Sequence, residues 1–499
     1  MFSNLKINSR LIFSVFFFTY CLLMLGCSGN PAGPDPEEDP PEQKSLPWID
    51  YLKSQIGVLA NSMNGEAEAC LGKRLLRPIT VTGLTRTEYM TNYYERSNST
   101  DARSALERER INRTLVYEGF LMPGDDYFSD RDSVFTNNVS GFYVPGTDSI
   151  YIIIADTAIS IPSYFRYTLF HEYVHAIQDQ YYNLTTIYKK RIQLTDNVVF
   201  SDSYYATNYL VEGEAEYAAI LQQYKDAVGT YPTSFYSISA YLSDYKGFLD
   251  SLVLADHASG VRYISTLPFY WAYAYGPPAF KQMIDNNQWQ RADSLFAHPP
   301  IKSREILNVD NYLAPSRENY MIEFSSFVDT LFLTRTVFDY DELGQIMTIT
   351  LLREWGITDY FSLTQNLVSD RLVVAGNAEA DTLSLYWYSY WQDSLSAARF
   401  AEAYVSIFEQ KRNVVVIDSG VCFGLSDEIT FHMEQSGNAL IIMEGFPSEA
   451  GERYLSILKD LSVVAWPAGA AKAGRNMATP ATCIDKGQRR GFLPRVPIR

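Results

Sequence analysis

Hydrophobic residues recur three and four positions apart in several stretches of the chain, which is the spacing of one face of an α-helix. Phe170, Val174 and Ile177 show this spacing in a helix that is predicted to begin near Ile161 and end near Tyr182. Since one face of this helix is apolar, we expect that face to pack against a core. Further amphipathic helices are predicted over 104–115, 210–221, 393–411 and 447–461.

Alternating and β-branched residues predict strands elsewhere in the chain. The segment 141–154 is predicted to form two strands around a turn at Pro145 and Gly146, directly before the long helix. Because a bound peptide can add a strand to a sheet edge, this hairpin is either a substrate wall or a plain core element. Further strands are predicted over 78–81, 383–390, 414–417, 429–433 and 439–443, the last two joined by a turn at 436–438.

The first 26 residues have the pattern of a targeting segment. Lys6 and Arg10 precede an apolar run over 11–25, which is too short to favour a membrane-spanning helix. The run ends in Met-Leu-Gly-Cys, which resembles a bacterial lipobox and implies lipidation of Cys27. Because Ser28 rather than aspartate follows, we expect anchoring in the outer membrane of a Gram-negative host. An ordinary cleaved signal peptide and an uncleaved anchor are the alternatives.

The net charge of the chain and the composition of its two ends limit the possible functions and the extent of the folded part. The formal net charge is −17, and it becomes −19 without residues 1–26, so an acidic surface argues against binding of nucleic acid. Residues 27–47 alternate proline with acidic residues, which predicts a disordered tether. The segment after residue 467 has seven Lys or Arg residues and one Asp, with little apolar content, which predicts a disordered basic tail.

Cysteine usage argues against a cysteine zinc site, because no C-x-x-C pair occurs. Besides Cys21 in the targeting segment and Cys27, the chain contains Cys70, Cys422 and Cys483. Cys422 and Cys483 could form a bridge in an oxidising compartment, although sequence alone does not give connectivity.

Two of the five histidines lie in the long helix, within His171-Glu172-Tyr173-Val174-His175. Because they are four residues apart, both imidazoles leave the same helix face and can bind one Zn²⁺ ion. Glu172 follows the first histidine and can reach a water molecule held by the metal and take its proton. The H-E-x-x-H pattern therefore predicts a zinc site with its own general base.

The predicted helix over 210–221 carries Glu212 and Glu216 four residues apart on one flank. Like charges in this arrangement repel unless a cation or a hydrogen-bond donor pairs with them. A solvated acidic face is the alternative interpretation, but an H-E-x-x-H helix elsewhere in the chain favours a metal. Glu214, between the two, is a weaker ligand candidate.

H-E-x-x-H with a glutamate on a later helix resembles the gluzincin superfamily of zinc peptidases, which includes the thermolysin and aminopeptidase N types. Residues 211–215, V-E-G-E-A, are similar to the N-E-G-x-A of the aminopeptidase branch, which implies Glu212 as the third zinc ligand. In the thermolysin branch, a carboxylate four residues later orients a ligand histidine, and Glu216 has this position. Glu212 comes 37 positions after His175, which is longer than in the compact aminopeptidase pattern and implies an insertion. Residues 70–285 also resemble a set of uncharacterised bacterial predicted metallopeptidases.

A third segment, Tyr273-Ala274-Tyr275-Gly276, is similar to the Y-x-x-G of the aminopeptidase branch. The resemblance implies that Tyr273 stabilises the developing oxyanion, with Tyr270 and Tyr275 as alternatives. An aromatic packing cluster is the structural alternative, and His257 could instead act like the thermolysin-type histidine. No G-x-M-E-N signature precedes the long helix, which favours an endopeptidase.

These observations predict an α+β protein. The expected parts are a lipoprotein signal peptide (1–26), a tether (27–47), a zincin-like metallopeptidase domain (48–305), a smaller α+β C-terminal domain (306–466) and a basic tail (467–499). The metallopeptidase domain should combine a small sheet with the active-site helices. The C-terminal domain has no metal or nucleophile pattern, so we expect it to cover the cleft or to bind a ligand.

The expected function is zinc-dependent hydrolysis of a peptide or protein substrate by a lipid-anchored enzyme of the bacterial cell envelope. One alternative is a non-catalytic lipoprotein that binds peptides or glycans with its many tyrosines, of which the chain has 37. Another alternative is a pseudo-peptidase in which zinc is structural or absent.

Overall fold

The computed structural model of the 499-residue chain describes a large central part and omits both ends. Several features predicted from the sequence lie outside the described residues. They are the targeting segment, Cys27, the tether up to residue 46, the predicted strand over 414–417, Cys422, Cys483 and the basic tail. Among the described cysteines, Cys70 is a buried free thiol. The described residues are 47–94, 105–192, 201–232, 236–284, 289–314, 320–322, 325–332, 335–377, 382–413, 430–446, 448–461 and 463–465.

Helices make up most of this structure, and none of those described is long and apolar enough to cross a bilayer. The two predicted histidine ligands lie on α5, Phe165–Tyr182, and Glu212 lies on α7, Ser201–Val228. The others are α1 Pro47–Leu71, α2 Arg86–Tyr89, α3 Ala105–Glu118, α4 Tyr127–Asn138, α6 Leu184–Ile192, α8 Tyr236–Ala258, α9 Tyr263–Met283, α10 Ala292–Ala297, α11 Arg304–Leu307, α12 Asp310–Leu313, α13 Ser325–Phe332, α14 Gly344–Glu354, α15 Tyr360–Thr364, α16 Ser394–Arg412 and α17 Ser448–Lys459, with a π-helical turn at Met90–Tyr94 and a 3₁₀ turn at Trp289–Arg291.

The described strands form three sheets, which confirms the predicted α+β class. A three-stranded sheet has the order β1-β3-β2, with β1 parallel and β2 antiparallel to the central β3. A five-stranded antiparallel sheet has the order β5-β6-β7-β9-β8, and β4 pairs with β10. The bounds are β1 Thr80–Thr85, β2 Gly141–Val144, β3 Ser149–Ile154, β4 Tyr320–Ile322, β5 Thr336–Asp341, β6 Leu367–Gly376, β7 Leu383–Trp391, β8 Phe431–Ser436, β9 Ala439–Glu444 and β10 Val463–Ala465.

Helix α5 is buried between the small sheet and the other long helices. It packs against α1, β2, β3 and α7, and its predicted core residues Phe170, Val174 and Ile177 are all buried. Asp179, near its end, accepts hydrogen bonds from the Tyr143 hydroxyl at 3.0 Å and the Gly146 amide at 2.7 Å. Because these bonds attach the β2–β3 hairpin to α5, β2 is held in place beside the helix that carries both histidines.

The five-stranded sheet is covered on both faces. Along β7, Leu385 and Trp387 enter the large hydrophobic core that also contains α5 and α7, whereas Tyr386 and Tyr388 enter a smaller core with α13 and α17. Successive side chains point to opposite faces of a strand, so the predicted alternation over 383–390 supplies both cores at once.

The beginning of α7 packs against the C-terminal region. The Ser201 amide donates to Asp341 Oδ1 at 2.8 Å, and the Asp202 amide donates to the Glu342 carbonyl at 3.1 Å. Gly344 has a φ of +63°, and a Cβ there would collide with the Asp202 carboxylate, so this contact requires glycine. The large core is continuous across residue 305, which therefore marks no break in packing.

Candidate metal centre

His171 and His175 of α5 converge with Glu212 of α7. The two histidine Nε2 atoms are 2.9 Å apart, and Glu212 Oε2 lies 3.2 Å from His171 Nε2 and 3.4 Å from His175 Nε2. Both histidines are buried, with 7% and 9% of their surfaces exposed. Among the described residues, these three form a group that could hold a metal ion. We call them the metal centre below.

The spacing of the metal centre suits a small cation. A tetrahedral zinc ion with bonds of about 2.1 Å separates its ligand atoms by about 3.4 Å, close to the three separations observed. Two imidazole nitrogens that face each other at 2.9 Å repel unless a proton or a cation lies between them. The donor atoms therefore fit a metal ion, and a 2-His-1-carboxylate set is one that zinc accepts.

Electrostatic effects reinforce this geometry. Burial raises the pKa of Glu212, but His175 and His171 outweigh burial and bring it well below its ordinary value. Burial lowers the pKa of His171, but Glu212 and Glu216 outweigh it and raise the pKa well above the ordinary value. The carboxylate is thus ionised, and the site attracts positive charge, either as protons or as a metal ion.

Gln178 holds His175 in place. Its Oε1 atom lies 2.8 Å from His175 Nδ1, and its Nε2 atom donates to the Val211 carbonyl and to Glu214 Oε2, each at 2.9 Å. Because Gln178 Oε1 can only accept, His175 carries its proton on Nδ1 and directs the Nε2 lone pair at the centre. Glu214, a weaker ligand candidate from sequence, instead supports Gln178, and burial raises its pKa to about 7.

Glu216 lies on the other side of the centre, behind His171. Its Oε2 atom is 3.1 Å from His171 Nδ1, although the approach is not aligned as a hydrogen bond. Tyr245 of α8 interacts with Glu216, and burial raises the pKa of that tyrosine well above its ordinary value. Glu216 therefore lies next to His171, in contact with Tyr245 as well.

Glu172 is buried beside the centre, with 6% of its surface exposed, and lines the same cavity as both histidines. Burial raises its pKa, an effect that His171 and His175 oppose and Glu212 reinforces. The Tyr143 backbone amide of β2 stabilises the ionised form. A carboxylate with a raised pKa is a better proton acceptor in a neutral solution than an ordinary one.

Among the aromatic candidates, Tyr273 of α9 lies closest to the metal centre. Its ring stacks on His171 with 5.9 Å between centroids, and its hydroxyl interacts with Glu212. Burial, and then the charge of Glu212, raises the pKa of Tyr273 well above its ordinary value, so the hydroxyl stays a neutral donor. Tyr270 lines the cavity but donates to Asp256 Oδ2 at 3.1 Å.

The remaining two candidates lie outside the lining of the cavity. Tyr275 packs on Trp271 with 4.5 Å between ring centroids, and the Lys246 ammonium lies 4.2 Å from its ring. His257 stacks on Tyr263 with 3.9 Å between centroids. Both side chains therefore have packing roles, and the structure does not bring them to the metal centre.

Two glycines bring α7 and α9 together at the centre. A Cβ atom at Gly213 would lie 2.6 Å from the backbone of Gly276, and one at Gly276 would lie 2.5 Å from the Tyr209 carbonyl. Glu212 directly precedes one glycine, and Tyr273 lies one turn before the other. The glycines of the V-E-G-E-A and Y-A-Y-G segments are thus required for backbone contact, which places Tyr273 beside Glu212.

The metal centre opens onto a cavity of about 490 Å³, which is within the size range of ligand sites. Thirteen tyrosines line it, so most of its wall offers aromatic faces and neutral hydroxyl groups. Gly141, Phe142 and Tyr143 of the edge strand β2 are part of this wall. Among the described residues, none after Tyr273 in the sequence lines the cavity.

Comparison with protein-family models, curated proteins and solved structures finds no match to this chain. The assignment of a function therefore depends on the residues of the site. Gln178 and Tyr245 were not predicted from the sequence. Gln178 could have been found from its position three residues after His175 on the same helix face, whereas no local pattern indicates Tyr245.

Proposed function

We propose that this protein is a zinc-dependent peptidase of the gluzincin type, with a zincin-like catalytic region over 48–305. The observation that supports it best is the convergence of His171, His175 and Glu212 within 3.4 Å of one another, with Glu172 buried beside them. A donor set of two histidines and one glutamate is typical of catalytic rather than structural zinc, because it leaves one coordination position open.

The reaction follows from the positions of the chain's own groups. His171, His175 and Glu212 would hold Zn²⁺, which when bound polarises a carbonyl group and acidifies water. Glu172 accepts the proton of the attacking water and passes it to the leaving amine. The neutral hydroxyl of Tyr273 donates to the oxygen that becomes negative in the transition state. Gln178 and Glu216 keep the imidazoles oriented.

The cavity supports a peptide as the substrate. Its edge strand β2 can pair with an extended chain, and its aromatic wall can pack against side chains. The sequence pattern up to Cys27 further suggests that the enzyme is lipid-anchored in the bacterial cell envelope. An endopeptidase remains the favoured subtype from the sequence.

The test combines metal content with the variant Glu172→Gln. We expect about one zinc per purified wild-type chain and cleavage of a peptide library, which chelation abolishes and added zinc restores. Because Glu172 is a base rather than a ligand, Glu172→Gln should retain zinc and lose about 100- to 10,000-fold in kcat.

The other outcomes identify the alternatives. A protein without zinc after gentle purification would contradict the enzyme and support a binding lipoprotein. A zinc-loaded wild type that cleaves no peptide would support a pseudo-peptidase, and equal activity in wild type and Glu172→Gln would contradict the role of Glu172.

A further inference from the structure

The cavity of the metal centre has one cationic side chain in its wall. Of the described residues that line it, Arg131 is the only Lys or Arg, whereas Glu172, Glu212 and Glu216 are all acidic. Arg131 comes from α4, which is not one of the helices that carry the metal centre. Its charge therefore comes from a different helix than the three acidic groups.

Arg131 is held in a desolvated position. Only 5% of its surface is exposed, and its guanidinium carbon lies 5.4 Å from the Phe128 ring centroid and 5.9 Å from that of Tyr127. One of its nitrogens donates to Asp132 Oδ1 at 3.2 Å. A planar guanidinium forms an ion pair with a carboxylate through two parallel N–H donors. With little water to compete, such a pair is stronger than at the surface.

A chain of aromatic contacts bounds the distance from Phe135 of α4 to the metal centre. Phe135 lies one helical turn from Arg131 on the same face of α4. Successive ring centroids from Phe135 to Phe269, Tyr273 and His171 are 5.5, 5.5 and 5.9 Å apart. The Phe135 and His171 rings therefore cannot be more than about 17 Å apart, which an extended peptide of about five residues spans at roughly 3.3 Å per residue.

We propose that the cavity takes a short peptide segment and that Arg131 binds a carboxylate of this segment while the metal centre acts a few residues away. The proposal rests on the proposed peptidase function and adds a substrate class to it. The carboxylate is either the free C-terminus of the peptide or the side chain of an Asp or Glu residue, because both present the same planar anion to the guanidinium.

The experiment compares matched peptides. A short peptide that the wild type cleaves is made with a free C-terminal acid and as the C-terminal amide, and each form carries either Glu or Gln. KM and kcat are measured for wild type, Arg131→Gln, Arg131→Lys and Arg108→Gln. Arg108 is a matched control, because its guanidinium lies 4.8 Å from the Phe128 ring but is not part of the lining.

We expect the wild type to prefer one member of a pair by about 10- to 100-fold, mainly through KM. Preference for the acid over the amide identifies the C-terminus, and preference for Glu over Gln identifies the side chain. Arg131→Gln should bring the ratio of the two KM values in the pair to within about twofold of one. Arg131→Lys should retain part of the preference because the charge remains. Arg108→Gln should retain all of it.

Three results would overturn the proposal: equal KM values within every pair for the wild type, the same preference in Arg131→Gln, or its loss in Arg108→Gln. Circular dichroism and zinc content show whether each variant is folded. If the zinc-loaded wild type cleaves peptides without any preference, only this proposal fails. If it cleaves no peptide, the proposed function fails as well.

Discussion

Two buried polar clusters in this molecule differ in how their charges are balanced. The metal centre has one carboxylate, and among the described residues the ion-pair partners of Glu212 are the two histidines. The second, which we call the charged cluster, consists of Asp202, Lys302, Glu342, Asp370 and Arg371, and each of these residues is at most 2% exposed. Both clusters are therefore buried.

The charged cluster contains its own cations. Lys302 Nζ contacts Glu342 Oε1, and Arg371 lies 3.6 Å from Glu342 Oε2. Asp370 accepts from the Gly344 amide at 2.8 Å and from the Trp387 indole at 2.9 Å. Since its acids have partners within the chain, this cluster needs no ion from outside. Among the described residues, no lysine or arginine pairs with the metal centre, so an external cation can complete it.

The first prediction breaks the charged cluster with Lys302→Met. Burial lowers the pKa of Lys302 to about 8, although Asp202 opposes this, so the ammonium remains mostly charged at neutral pH. Its removal leaves Glu342 without its nearest cation and should cost about 3–5 kcal/mol of the free energy of unfolding, measured with urea. Zinc per folded chain should not change.

The control for this prediction is Lys459→Met. Lys459 pairs with Glu434 at 2.8 Å, but its side chain is 45% exposed, so we expect at most about 1 kcal/mol. Equal effects of the two variants would show that burial does not distinguish these pairs.

The second prediction removes the hydroxyl at the metal centre with Tyr273→Phe. Because the hydroxyl is proposed to stabilise only the transition state, kcat should fall about 100- to 1,000-fold with zinc content unchanged. Tyr270→Phe is the matched control, since the Tyr270 hydroxyl donates to Asp256 and not to the site. A loss of the same size in both variants would contradict the assignment of Tyr273.

The third prediction weakens the support of His175 with Gln178→Leu. Loss of the acceptor for His175 Nδ1 should reduce zinc affinity about 10- to 100-fold, measured by competition with a chelating dye. Excess zinc should then restore most of the activity. Gln180→Leu is the control on the same helix, because Gln180 bonds instead to the backbone at Leu76 and Arg77. Unchanged affinity in Gln178→Leu would mean that the helix alone orients His175.

Local patterns predicted much of the fold. The helix and strand spacings at α5, β7 and α16 agree with the structure to within a few residues, whereas α7 extends beyond its predicted segment 210–221 at both ends. The predicted boundary at residue 305 remains a prediction. The described hydrophobic core does not divide at this residue, because side chains of α14 and of the five-stranded sheet enter the same core as α5.

The sequence by itself determined which residues could form the metal centre. A spacing of four places His171 and His175 on one helix face, and the acidic pair Glu212 and Glu216 stands out on a second helix. These are properties of the local sequence, so they can be recognised without knowledge of the fold.

Only the tertiary structure decided what each acid does. The packing of α5 on α7, with the contact of Gly213 and Gly276, closes the 37-residue separation between His175 and Glu212. The same packing brings Glu214 to Gln178, and a separate tertiary contact places Lys302 beside Glu342. A buried carboxylate becomes a ligand, a support or half of an ion pair according to the charges that distant segments bring to it, and those partners cannot be read from its sequence neighbours.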